Sequence, residues 1–121
     1  MARFVMALLA FVTLSASAQQ KGETFLTEKE LRTLMSQTLT VDFFGYNRRG
    51  TGVYQKDGTV RLNSTNWTAV GSWKIEGNKL CTNYTEVGSG CNKLQKTGAN
   101  SYKLIPDDGS TPGTWEVKKG K

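Results

Sequence analysis

The 121 residues carry 16 lysines and arginines against 10 aspartates and glutamates, with two cysteines and no histidine. Without histidine the commonest general base is missing, and Ser-His or Cys-His nucleophile pairs are excluded. Two cysteines without histidine also fall short of the four-ligand sets of structural zinc sites, so no metal and no cofactor is expected.

The chain opens with Arg3, an apolar run from Phe4 to Leu14, and small residues ending in Ala16, Ser17 and Ala18. This is the layout of a secretory signal peptide, with cleavage expected after Ala18. The apolar run is about half the roughly 20 residues a membrane helix needs, so no membrane span is expected. The expected location is the periplasm or the exterior. Removing 18 of 121 residues leaves 103, and losing Arg3 alone leaves 15 cations minus 10 anions, or +5. A chain of that size forms one domain with a small core. Its cations are scattered in pairs such as Lys56 and Arg61 or Lys93 and Lys96. Nucleic-acid binders gather such charge in a stripe, so nucleic acid is not an expected partner.

Residues 19–26 read as a flexible polar leader. In TEKELRTLMSQ, Thr27 and Glu30 have the spacing of a capping box, and Leu31, Leu34 and Met35 recur at helical spacing. A short helix over 28–36 is predicted, with its apolar stripe laid on a sheet or plugging one end of a barrel. From residue 38 to the end the pattern has period two. Strands are expected near 38–45, 51–56, 59–64, 68–76, 79–85, 91–95, 101–105 and 113–118. The segments NRRG, KDGT, EGNK, EVGSG, KTGAN and DDGSTPG between them read as turns. Eight short strands joined by tight hairpins make an all-β antiparallel meander, closed into a small up-and-down barrel or curled into a half-barrel. The domain plan is therefore 1–18 signal peptide, 19–37 leader and helix, and 38–121 barrel.

Alternation in WTAVGSWKI places Trp67, Ala69, Gly71, Trp73 and Ile75 on one inward face. Tyr54, Val60, Leu62, Leu80, Tyr84, Leu94, Tyr102, Leu104, Trp115 and Val117 complete the expected interior. Gly71 between large aromatics suggests a bend or a close backbone approach. Tyr54, Trp67, Trp73, Tyr84, Tyr102 and Trp115 are candidates to line a ligand pocket or, equally, to fill the barrel. A continuous interior space of roughly 300 Å³ or more lined by Trp73 and its neighbours would favour ligand binding, whereas a filled core would rule out an interior ligand and move weight to surface loops such as 46–51 and 107–113. Arg48 and Arg49, in the first hairpin, are candidates for an anion or a partner carboxylate.

Cys81 and Cys91 stand ten positions apart on adjacent predicted strands. C-x-x-C redox spacing does not fit, and one structural disulfide is the expectation in an exported chain. Closing so short a loop stabilises by roughly 2.5–3 kcal/mol in the chain-entropy view. Of the carboxylates most sit in turns; Asp42 alone lies mid-strand, and a solvent-facing role is the simpler reading. Asn63, Asn66 and Asn83 head N-x-[ST] sequons, which matter only in a glycosylating host.

Asp57, Gly58 and Thr59, followed by Gly71, Trp73, Ile75, Gly77, Leu80, Cys81, Tyr84 and Cys91, resemble a family of small exported alphaproteobacterial proteins of unknown function. The resemblance spans roughly 38–106 and implies a lipocalin-like β-barrel; it departs from the pattern at Asn92 and Lys93, and carries no catalytic residue. The functional expectation is a monomeric, non-enzymatic exported protein. It binds either an apolar or amphipathic small molecule or an envelope component; the alternative is an inhibitor or interaction protein acting through surface loops.

Overall fold

One short helix precedes eight strands in the computed structural model, which describes residues 24–118. The expected signal peptide lies outside the described residues. The helix α1 (Glu28–Leu34) leads into β1 (Leu39–Gly45), β2 (Arg48–Tyr54), β3 (Thr59–Ser64) and β4 (Trp67–Glu76). The chain continues through β5 (Lys79–Tyr84), β6 (Gly88–Lys96), β7 (Ser101–Pro106) and β8 (Gly113–Val117). Each strand pairs antiparallel with the next, and β8 returns to β1, so the barrel is closed and the half-barrel alternative falls away. Closure leaves no strand edge unpaired. No helix of the described residues is long and apolar enough to cross a membrane. Exposed charges on the outer wall, among them Asp42, Arg49, Arg61, Lys74, Lys93, Lys103 and Glu116, contrast with the apolar band of a lipid-facing barrel.

Two strands start earlier than the alternation suggests. β2 begins at Arg48 rather than 51, and β6 at Gly88 rather than 91. The first hairpin turn is Tyr46 and Asn47, both at positive φ as a two-residue type I′ turn requires. Arg48, Arg49, Gly50, Gly88 and Gly90 are therefore strand residues, not turn residues.

The capping box forms as its spacing predicts. Thr27 Oγ1 accepts the Glu30 N–H at 3.2 Å, and Glu30 Oε1 accepts the Thr27 N–H at 2.9 Å. Asn78, in the β4–β5 turn, takes the Glu28 N–H at 2.7 Å and so fixes the helix against the barrel end. Leu31 is fully buried and Met35 nearly so, and burying each such side chain stabilises by about 1.5–3 kcal/mol. Part of the expected leader is also anchored: Phe25 bridges to Gln95, and the Leu26 N–H donates to the Leu94 carbonyl at 2.9 Å.

Every interior residue expected from alternation is buried or packed against the core, joined by Leu39, Val41 and Phe43 from β1. A β-carbon on Gly71 would collide with the Asn83 carbonyl, so the close approach expected there is real. Cys81 and Cys91 face each other across β5 and β6 and are joined.

Candidate functional site at the open end of the barrel

The middle of the barrel is filled. Tyr54 packs on Trp115 with ring centroids 4.9 Å apart, Tyr102 meets Trp115 at 6.5 Å, and the Tyr54 and Tyr84 hydroxyls lie 3.4 Å apart. Desolvation holds both phenols above their usual range, Tyr84 at about 12, so both are neutral. Four of the six aromatics expected around a ligand, Tyr54, Tyr84, Tyr102 and Trp115, thus sit together as core. The other two lie at opposite ends.

Trp73 is at the helix end, its indole N–H donating to the Gln55 carbonyl at 2.7 Å. It borders a shallow outer depression of about 350 Å³ with Met35, Ile75, Arg32, Lys56, Asp57, Gly58 and Lys74. A second depression, of about 680 Å³, runs over the polar face of the helix from Thr27 to Ser36 with Asn78. Both are open depressions, and several of their polar groups already hold partners. Arg32 pairs with Glu28 and Lys74 with Glu76, each at 2.7 Å, and Asp57 accepts from Thr59 at 2.8 Å.

The opposite end is built differently. Antiparallel partners share a face. Tyr84 and Leu80 point inward, so their partners Gly88 and Asn92 do too, as do Thr82 and its partner Gly90. By the same rule Gly45 and its partner Arg48 continue the inward faces of Phe43 and Tyr54. A β-carbon added at Gly45, Gly88 or Gly90 would meet nothing within 4 Å. Three inward positions at this mouth therefore face open space.

At the same end stands Trp67, the inward residue that starts β4, with the Arg48 guanidinium over its ring at 4.6 Å from the centroid. Tyr46 closes the group: its ring lies 6.2 Å from Trp67 and, edge-on, 6.3 Å from Tyr84. Partial burial raises its phenol pKa, so it too is neutral. The backbone of Tyr46 has φ 54°, a left-handed conformation that a bulky residue adopts at a cost of about 1–3 kcal/mol. With 52% of its surface still exposed, Tyr46 combines strain with accessibility, a pairing common at binding sites.

The Arg48 side chain makes no hydrogen bond or ion pair among the described residues. Carboxylates of the β5–β6 and β7–β8 connections hold other partners: Glu86 accepts the Val70 N–H, Asp107 pairs with Lys79 and Asp108 holds Ser110. Arg49, its sequence neighbour, points outward and lies over Phe44 at 4.9 Å. The two arginines expected to act as a pair are thus divided between the inside and the outside of one strand.

Asp42 lies on the outer face, 3.5 Å from Lys118 and opposite Glu116 in the β1–β8 register. A Glu76 carboxylate oxygen lies within 4.8 Å of both cysteine sulfurs, but these are bonded to each other and offer no thiolate. Sequence reasoning missed the glycine wall and the inward Thr82 and Asn92. The signal was present, since outward cysteines on paired strands oblige their neighbours to face inward.

Comparison of the chain with protein families, with curated proteins and with solved structures gives no match. The site is therefore read from its own chemistry.

Proposed function

We propose that this chain is a non-enzymatic binding protein that takes an apolar or amphipathic small molecule at the mouth opposite the helix. The observation that carries this reading is the open space at Gly45, Gly88 and Gly90, faced by the Arg48–Trp67–Tyr46 group. Ligand sites combine an apolar, aromatic wall with a few placed polar groups, and here Arg48, Thr82 and Asn92 supply the latter. Gly88 sits at positive φ, which glycine favours, but at Gly45 and Gly90 no such backbone demand exists, and glycine there costs sheet stability, which makes sense where a ligand needs the room. The disulfide fits work in an oxidising compartment, periplasmic or extracellular.

A thermal-shift screen of lipids and aromatic compounds, followed by amide chemical-shift mapping, tests the reading. Stabilising hits should move the amides of Gly45, Gly88 and Gly90. Hits that move only helix-end amides would refute it.

A second reading has its own observation. Phe44, Tyr46, Val70 and Val87 are all exposed, and Tyr and Arg are enriched in protein-binding hot spots. An interaction protein gripped by this rim would show Tyr46→Ala loss of partner crosslinking with small-molecule binding intact.

A further inference from the structure

Resting on the reading of the mouth as a ligand site, we infer that its ligand is an amphipathic anion. The carboxylate or phosphate head is held by Arg48, and the apolar body lies along Trp67 and Tyr46 against the glycine wall. Arg48 is a partly buried cation whose nearest strong interaction is with a ring face, not an acceptor. Cation–π attraction steadies a guanidinium without using its N–H donors. Those donors remain available as a planar fork, which matches the paired oxygens of a carboxylate or phosphate.

Charge at the mouth points the same way. Asp107 is paired with Lys79, and Glu86 and Asp108, which hold the Val70 N–H and Ser110, form no ion pair with Arg48. A neutral ligand would leave the cation partly desolvated and unpaired, and a cationic one would be repelled by it. The rest of the wall offers few hydrogen-bonding side chains, so a highly hydroxylated ligand would lose more water contacts than it regained.

The test titrates decanoate, decyl phosphate, decanol and decylamine, below their micellar concentrations, into the full oxidised chain. Binding is read by tryptophan fluorescence and by the amide shifts of Gly45, Gly88 and Gly90. At least one anion should bind roughly tenfold or more tightly than decanol, and decylamine should bind most weakly. Arg48→Gln should bring the anions down to the level of decanol and leave decanol unchanged. On the wild-type chain, which needs no variant to fold, added salt should weaken the anions and spare decanol. Equal affinities for all four heads, with shifts at the three glycines, would overturn the anion inference while leaving the mouth as the site. No shift at those glycines with any of the four would overturn both.

Discussion

At the helix end of the barrel the interior is closed by Leu31 and Met35 of α1 above Leu80 and Leu94, all nearly or fully inaccessible. Toward the other end, β6 presents Gly90 and Gly88, four and six positions from Leu94, and β1 presents Gly45 to open space, with an unpaired arginine on a tryptophan. Both ends obey one period-two rule of inward and outward residues. What differs is which residues occupy the inward positions: large apolar side chains at one end, glycines and a cation at the other. A uniform barrel would fill both ends alike, so the asymmetry separates the part that holds the fold from the part where the proposed site lies.

The strongest way to break that contrast is at the closed end. Leu94→Ala, which leaves a void among fully packed neighbours, should lower unfolding free energy by about 2–5 kcal/mol in denaturant melts. A loss well below 1 kcal/mol would mean the helix end is not the stability centre. Reduction of Cys81–Cys91 should cost about 2.5–3 kcal/mol, read from melts with and without reductant.

Alkali sharpens the comparison through the buried phenols between the two ends. Tyr84 titrates near 10 when unfolded and at about 12 when folded. Its contribution is therefore fully present below pH 10 and is lost as pH rises from 10 to 12, amounting to about 2–3 kcal/mol. Tyr84→Phe should flatten that alkaline fall, and an unchanged slope would count against neutral, buried phenols.

The smallest effects compare one substitution at two inward glycines. Gly71→Ala meets the Asn83 carbonyl and should destabilise by about 1–3 kcal/mol. Gly90→Ala meets nothing and should range from neutral to a gain of about 1 kcal/mol. Equal losses at both sites would show that the mouth is packed after all.

Most of the fold could be read from the chain because alternation, Asp-Gly and Gly-Asn turns and the capping box are local signals. Trp67 through Ile75 shows this well: one strand of alternating sequence sets an inward face that the closed barrel keeps. The candidate site was harder to see because glycine has two meanings. At Gly58, Gly77 and Gly88 it sits at positive φ, whereas at Gly50 and Gly90 it replaces a side chain inside a strand; Gly88 does both, as the first residue of β6. Reading both kinds as turns shortened β2 and β6, and moved Arg48 from the barrel interior into a loop. The aromatics were identified correctly as inward, but only three-dimensional closure separates Trp67 at the mouth from Trp115 in the middle.

The staple between Cys81 and Cys91 lies on the outside of the two strands whose inward positions include Gly88 and Gly90, and Cys91 directly follows Gly90. It works like a hoop around the thinnest staves of a cask, gripping the wall where there is least filling to brace it. A chain still carrying free thiols would have a slack mouth beside an intact helix end, visible as faster amide exchange at residues 88–92 than at Leu31. Oxidation would then do more than strengthen the fold: it would set the shape of the mouth.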